Sequence, residues 1–184
     1  GLVLAYETKR IAQNLVDRVF ERPENFYIDI GSIDRPITAK VLELFKATAY
    51  MMIHGNGIPQ FPLGPLQGFS VAAGFHVSLE WGVKEINFYL EVAAGFDAGI
   101  GFAPFFLAGR VYLRGALHLF IIAIEARGEL ELQYDGADTW MHGEICGKID
   151  LFFFQIEGCV SFELGTKPGT PHAPSLVRGL ALQS

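Results

Sequence analysis

Positive charge is scarce in this sequence and is not gathered anywhere along it. Lys and Arg number 14 against 20 Asp and Glu, which gives a formal net charge of −6 and an isoelectric point near 5.3. Binding to nucleic acid depends on a basic surface that displaces counterions from phosphates, and an anionic lipid layer attracts basic clusters in the same way. The sequence therefore argues against nucleic acid and against an anionic lipid surface as partners.

Long apolar runs are also missing. The stretch 119–124 is among the longest, whereas a membrane-spanning helix needs about 20 apolar residues in succession. The chain begins with Gly1 instead of Met, from which we expect it to be processed or excised from a longer chain. Its two cysteines do not reveal a redox compartment, and the sequence indicates no localisation.

Catalytic, cofactor and phosphate-binding motifs are absent as well. The glycine-rich segment 54–57 lacks the following Lys-Ser/Thr pair and the helix that would present a phosphate, so we interpret it as a turn. Asp135 and Asp138 could offer oxygens to calcium, but Asp-Gly between two strands is typical of a hairpin turn. Because no acid/base pair can be nominated, we predict that the chain is not an enzyme and needs no cofactor.

Apolar residues, by contrast, are plentiful. They make up 51% of the chain, charged residues only 18%, and the mean hydropathy is +0.30. A chain of 184 residues can bury roughly two thirds of its unfolded surface as one large or two small domains. This composition predicts that a large apolar surface is hidden from water in the assembled protein.

The first third of the chain differs from the rest. Apolar positions between 7 and 20 recur at helical spacing, and Pro23 ends this pattern. In the following residues, short stretches of alternating apolar and polar residues are separated by Gly and Pro. We predict five segments: an N-terminal helix at 1–24, short strands at 25–58, a Pro/Gly linker at 59–68, a repeated β domain at 69–165 and a tail at 166–184.

Residues 110–132 and 142–164 repeat one another at an offset of 32 residues without a gap. A constant offset of this kind indicates a repeated supersecondary unit. The matched positions are Gly115, Leu119, Phe120, Ile124, Glu125, Glu131 and Leu132 in the first copy and Gly147, Leu151, Phe152, Ile156, Glu157, Glu163 and Leu164 in the second.

Apolar and polar residues alternate in both copies, and the alternation reverses in the middle of each. Apolar residues hold odd positions before Phe152 and even positions after it, the first copy reverses before Phe120, and a looser third copy reverses at 84–85. Two explanations fit a reversal: a two-residue hairpin, or a bulge that bends one long strand. We favour hairpins, with tips near 84–85, 120–121 and 152–153.

The hairpin model fixes which residues face one another. Opposed cysteines on adjacent strands can form a disulfide, with a pair of free thiols as the alternative. A metal site that adds His142 to the two cysteines would lack a fourth ligand at a standard spacing. The predicted cross-strand pairs are Cys146 with Cys159, Lys148 with Glu157, Ile149 with Ile156, and Leu117 with Ile124.

The apolar stripe is predicted to face inward as core, and one apolar residue is left over at each of the tips 120–121 and 152–153. Ile121 and Phe153 fall among the polar positions at the reversals, so we predict that these two residues contact another chain. The inward stripe comprises Ile86, Phe88, Phe120, Ile122, Phe154 and Ile156. The predicted fold class is mainly β, with repeated long antiparallel hairpins in a sandwich- or prism-like sheet and one short N-terminal helix.

Three stretches carry a family resemblance: "GFDAGIGFAPFFLAGRVYLRG", "ARGELELQYDGADTWMHGEICGKIDLFFFQIEGCVSFELG" and, upstream, "FYIDIGSIDRPITAKVLELFKATAYMMIHGNGIP". Together they resemble glycine- and phenylalanine-rich β-repeat domains of unknown function in very large bacterial proteins. The resemblance spans about 25 to 165. It implies a module of a long structural, surface-associated, secretion or injection protein, and it transfers no catalytic residue.

Two functions follow from this sequence. The first is a structural module whose sheet stacks on copies of itself or on other protein subunits. The second is a β-groove that binds lipid or another hydrophobic molecule. A membrane-spanning sheet is disfavoured, because Lys, Glu and Asp occupy the positions predicted to face outward.

Overall fold

The computed structural model describes residues 26–41 and 44–169. The helix predicted at 7–20 and the tail beyond Gly169 lie outside these ranges. The described chain is built of β-strands joined by turns and one longer loop at 55–69, with a single 3₁₀ turn at Lys84–Ile86. The strands are β1 (Tyr27–Ile30), β2 (Ile37–Val41), β3 (Phe45–His54), β4 (Ser70–Val83), β5 (Phe88–Phe102), β6 (Phe105–Leu119), β7 (Ile122–Tyr134), β8 (Thr139–Leu151) and β9 (Phe154–Gly165).

All nine strands belong to one open antiparallel sheet. From β3 to β9 each strand pairs with the next one along the chain, and β1 and β2 lie end to end along the outer side of β3. The mainly β, antiparallel fold class predicted from the sequence is confirmed. The predicted sandwich- or prism-like layering is replaced, within the described residues, by a single sheet, because every strand pairs edge to edge and none crosses to a second layer.

The predicted hairpins are confirmed. Ile149 pairs with Ile156, and Leu117 pairs with Ile124. Strands β6 and β7 meet at residues 120–121, β8 and β9 meet at 152–153, and β4 and β5 are joined through residues 84–87. A two-residue turn fixes the register of the strands that it joins, which is why the alternation in the sequence located these tips.

The 32-residue repeat has a direct spatial meaning. Pairing runs unbroken across β6, β7, β8 and β9, and each residue of β6 from Leu107 to Leu119 lies in the same transverse row as the residue 32 positions later in β8. Leu117 and Ile149 share one such row, and Gly115 and Gly147 share the next. The repeat unit is therefore one hairpin, and equivalent side chains form continuous rows across the sheet.

The segment 55–69, which we call the covering loop, is packed onto the sheet. Ile58 and Leu66 exchange backbone hydrogen bonds, and both are fully buried together with Phe61. Residues 59–68 were predicted to form a linker. The strands on either side of them pair with one another from His54 and Ser70 to Phe45 and Leu79, so the covering loop returns the chain to the sheet that it left.

The buried hydrophobic core lies beneath the covering loop, at one end of the sheet. Small residues on the strands make room for the loop: a Cβ on Gly99 would lie 2.8 Å from Leu66 Cδ1 and 2.8 Å from Phe61 Cζ. The core cluster comprises Tyr50, Met52, Ile58, Phe61, Leu63, Leu66, Ala72 and Ala108.

The turn between β7 and β8 follows the sequence prediction for Asp135–Asp138. The Asp135 carboxylate accepts hydrogen bonds from the backbone N–H groups of Ala137 and Asp138, at 3.0 and 2.8 Å. Gly136 has a φ of +96°, a conformation that favours glycine. These local bonds explain why the Asp-Gly pattern forms a turn.

Candidate functional site

One face of the sheet is apolar from edge to edge, and we call it the apolar face. Among strand residues on this side, only Thr139 and the Tyr134 hydroxyl are polar. The face is made of the odd positions of β3, β4, β6 and β8, the even positions of β1, β5, β7 and β9, and Ile37, Ala39 and Val41 of β2. The opposite side, which carries the charged residues and the covering loop, is the polar face.

The apolar face is open to solvent in the described chain. Leu113, near its centre, is 59% exposed, and Val160 on β9 is 77% exposed. Phe154 and Ile156, which the sequence predicted to be core, are more than half exposed. The sequence separated the two faces correctly, but the prediction that the apolar one is buried was wrong for the described residues, because the covering loop packs on the other side.

The apolar face is not flat but carries a groove beside a ridge. A row of small residues crosses four strands, and beside it runs a parallel row of large aliphatic residues. Nothing lies within 4 Å of a Cβ built on Gly147 or Gly158, so the small row is an open groove. The groove consists of Gly115, Ala126, Gly147 and Gly158, and the ridge of Leu117, Ile124, Ile149 and Ile156.

The hairpin tips at one end of the sheet extend the apolar surface. Ile121 is 64% exposed and Phe153 is 90% exposed in the described chain, and their contact with another chain stays a prediction. The tips also contact one another: Asn87 donates a side-chain hydrogen bond to the Phe120 carbonyl, and the Phe120 N–H donates to the Asn87 carbonyl at 2.8 Å. The β4–β5 and β6–β7 tips are therefore held side by side.

Cys146 and Cys159 face one another on the polar face of β8 and β9, in the predicted register. Their sulfurs are bonded at 2.06 Å, with the Cα atoms 4.0 Å apart. Glu144 is the third potential metal ligand near the two sulfurs, whereas His142 is not part of that group. The bond occupies both thiols, so the arrangement acts as a cross-strand clamp that fastens β9 to β8.

A buried carboxylate organises the polar face beside the covering loop. Asp97 accepts hydrogen bonds from the Tyr50 hydroxyl at 2.8 Å, from His76 Nε2 at 3.1 Å and from Arg110 at 3.0 Å. His76 also contacts Tyr112, since Nδ1 of its ring lies 3.0 Å from the Tyr112 hydroxyl oxygen. The network ties together strands β3, β4, β5 and β6.

The network also raises the pKa values of two of its residues, Tyr50 and Arg110. Burial, followed by the hydrogen bond to Asp97, raises the pKa of Tyr50 well above its usual value, so the phenol stays neutral. Burial alone would lower the pKa of Arg110, but the hydrogen bond to Asp97 and the nearby carboxylates outweigh it and raise that pKa. The cluster is thus a buried carboxylate bonded to three side chains, and within the described chain the Arg110 Nε atom is buried beside it without a hydrogen-bond partner.

The rest of the polar face carries charges of both signs at short range. A shallow cavity of about 430 Å³ contains Arg110, Arg114 and Arg127 beside Glu129 and Glu144. Arg127 lies 3.4 Å from Glu144, and Lys148 lies 3.7 Å from Glu125. These exposed pairs partly neutralise one another, and the cavity does not present a single sign of charge to a ligand.

The sequence missed the Asp97 network. His76 and Asp97 lie far from one another and from the pair Arg110 and Tyr112 along the chain, and none of the four belongs to a motif. All four residues hold strand positions that belong to the polar face. Together with the registers of three successive strands, which place Asp97 opposite Gly74 and Arg110, this alternation was the signal in the sequence that could have located the network. Sequence alternation located the tips but did not fix that registration for β4.

No helix within residues 26–41 and 44–169 is long and apolar enough to cross a membrane. No protein-family model, curated protein or solved structure matches the chain.

Proposed function

We propose that this chain is a non-enzymatic structural module that assembles by packing its apolar face against the apolar face of a second copy. The observation that carries the proposal is the continuous apolar side of a sheet of nine strands, open to solvent in the described residues. Water disfavours an exposed surface of this kind, and a second protein layer removes it from water.

The size of the face suits a permanent interface. Strand spacing and rise give it roughly 30 Å across the strands and 40 Å along them, or roughly 1,200 Å². Isolated soluble domains rarely expose apolar patches above a few hundred Å². Two such faces in contact would bury about 2,400 Å², which is within the range of obligate dimers.

The relief of the face supports a protein layer as the occupant. Two sheets pack about 10 Å apart, with the side chains of their inner faces interdigitating. The groove at Gly115 and Gly147 is open to an entering side chain, and the ridge at Ile124 and Ile149 supplies large side chains that can enter the groove of a second copy. The resemblance to β-repeat domains of large bacterial assemblies agrees with such a module, and Ile121 and Phe153 at the tips are then further contacts with a neighbouring chain.

The test places a charge on the apolar face and an identical charge on the polar face. Leu113→Glu lies near the centre of the apolar face, whereas Ser78→Glu lies at an exposed position of the polar face opposite Lys46. Burying an unpaired carboxylate is costly, so we expect Leu113→Glu to weaken self-association by roughly tenfold or more and Ser78→Glu to leave it unchanged. Sedimentation equilibrium measures both, and a Leu113→Glu protein that associates like the wild type would contradict the proposal.

A second candidate function is the binding of a lipid or another hydrophobic molecule at the tip end of the same face. It is favoured by the aromatic side chains at that end, where the Phe88 and Phe120 centroids lie 5.7 Å apart and where Phe120 and Phe154 are exposed. Solvent extraction of natively purified protein followed by mass spectrometry decides between the two. Lipid that copurifies with the wild type, and that is lost in Ile156→Glu, would replace the assembly function by this one.

A further inference from the structure

The last strand, β9, is an open edge of the sheet along its whole length. Every one of its 12 residues is exposed, and within the described chain only β8 pairs with it. The opposite edge differs, because β1 and β2 share it and are separated by the turn at residues 31–36. An unpaired edge presents a row of backbone N–H and C=O groups that can accept another strand.

The outward-pointing groups of β9 can be identified. The Cα atoms of Cys146 and Cys159 are 4.0 Å apart, which marks a non-hydrogen-bonded pair. Thr166, at an even position, donates its N–H to the Thr139 carbonyl at 3.0 Å. Even-numbered residues of β9 therefore bond to β8, and the odd-numbered residues from Gln155 to Glu163 direct their N–H and C=O groups away from the sheet.

Strand β9 lacks the usual devices that block such an edge. Natural edges are protected by Lys or Pro residues and by bulges. No Lys, Arg or Pro occurs between 154 and 165, and the pairing of β9 with β8 is unbroken, without a bulge. The Cys146–Cys159 clamp holds the middle of the strand in place.

We propose that β9 pairs antiparallel with β9 of a second copy of this chain, about a twofold axis at Cys159, and so joins two sheets into one. This register matches odd positions with odd positions, as the outward hydrogen-bonding groups require. The twofold axis is perpendicular to the sheet, so the apolar faces of both copies lie on the same side. The facing pairs are Phe154 with Leu164, Gln155 with Glu163, Ile156 with Phe162, Glu157 with Ser161, Gly158 with Val160, and Cys159 with its own equivalent.

Side-chain chemistry selects this register over its neighbour. In the centred register no two carboxylates face each other, and the large apolar residues meet at both ends. A shift of two residues in one direction places Glu157 opposite Glu163 of the second copy, and directly opposed like charges destabilise a strand pair. The shift in the other direction shortens the overlap and leaves Glu163 opposite the Phe153 tip.

The described chain leaves room for this partner. After β9 it turns toward the polar face, where the Lys167 ammonium lies 4.5 Å from the centre of the Trp140 ring. Residues 166–169 therefore do not run back along the open side of β9. The partner is a second copy because the edge is complementary to itself in both hydrogen-bond parity and charge.

The first experiment removes one outward N–H group without removing a bond within the chain. Ser161→Pro deletes an N–H that points away from β8, whereas the matched control Ser161→Thr keeps it and suits a strand. Both are made in the Leu113→Glu protein, whose face packing is weakened, and are compared at a concentration too low for the weakened faces to associate, so that the edge is the remaining contact. We expect Leu113→Glu and its Ser161→Thr derivative to be dimers and the Ser161→Pro derivative to dissociate with a constant roughly tenfold larger or more.

The outcomes separate the two proposals. A Leu113→Glu protein that is already monomeric, or a Ser161→Pro derivative that dimerises like the threonine control, overturns edge pairing and leaves face packing intact. Far-ultraviolet circular dichroism checks that the proline derivative keeps its strands.

A second experiment tests the register in the otherwise unchanged chain and does not depend on the proline variant. Gly158 and Val160 face each other across the proposed axis as a non-hydrogen-bonded pair, the geometry that suits a disulfide. Under mild oxidation the double variant Gly158→Cys/Val160→Cys should give a covalent dimer on a non-reducing gel, and Gly158→Cys/Phe162→Cys should not. No covalent dimer in the first, or equal amounts in both, would refute the centred register.

Discussion

Two apolar surfaces of this molecule differ in their exposure to solvent. Under the covering loop, a small patch of the polar face is fully buried: Met52, Leu66 and Ala72 are each 1% exposed. The apolar face is far larger and carries most of the Phe, Ile and Leu side chains, yet Leu113 and its neighbours are open to solvent in the described residues. The chain thus uses a minor part of its hydrophobic surface to hold itself together, and the major part is available for association with other molecules.

Leucine occurs on both surfaces, so the same substitution can be compared at a buried and at an exposed position. Leu66→Ala should lower the free energy of unfolding by about 2 to 5 kcal/mol, because it empties a closed site, whereas Leu113→Ala should cost under about 1 kcal/mol in the monomer. Urea denaturation at a concentration where the protein is monomeric measures both. Similar losses at the two leucines would show that the apolar face is covered within the chain itself.

Two glycines make the same comparison by adding a methyl group. Gly99→Ala drives a Cβ to 2.8 Å from Leu66 and Phe61, while a Cβ on Gly147 meets nothing within 4 Å. We expect Gly99→Ala to destabilise the fold by roughly 1 to 3 kcal/mol. Gly147→Ala should change stability by under about 0.5 kcal/mol, since it adds a methyl group to an open groove and reduces the freedom of the unfolded chain. Thermal unfolding of the pair gives the answer, and a destabilised Gly147→Ala would mean that the groove is already filled.

The smallest expected effect concerns the polar contact at the border of the buried patch. Tyr50→Phe removes the hydrogen bond to Asp97 and should cost about 1 kcal/mol near neutral pH. The pKa of Tyr50 is raised on folding, so its contribution is fully present below the unfolded tyrosine pKa of about 10 and is lost as the pH rises above that value. The wild type should therefore lose stability between about pH 9 and 11 more steeply than Tyr50→Phe. Equal slopes in urea titrations across that range would show that the phenol is not held neutral by the network.

The sequence determined the strands and their registers to a large extent. Side chains alternate with period two, so the reversals at Phe120 and Phe152 located two turns and, with them, the pairs Leu117–Ile124 and Ile149–Ile156. These are local relations, since a short turn leaves its two strands little choice of register.

Alternation separates two faces but does not say which of them is covered. That choice depended on the covering loop, an irregular segment whose contacts with Gly99 and Ala108 join positions far apart in the chain. Its Pro and Gly content correctly indicated an absence of helix and strand interiors, but composition carries no information about packing. The Asp97 network was beyond prediction for the same reason, because it assembles from four strands.

The two edges of the sheet are unequal, and this inequality sets a limit on growth. If β9 pairs with itself about a twofold axis, the contact is isologous and uses up the open edge of both copies. Each outer side of the joined sheet is then an edge formed by β1 and β2, two short strands interrupted by the turn at residues 31–36. A head-to-tail contact between unlike edges would propagate into a fibre, whereas this arrangement closes after two subunits. Under that pairing the interrupted edge would stop edge-to-edge growth after two subunits and would so protect a strongly hydrophobic sheet from unlimited polymerisation along its edges.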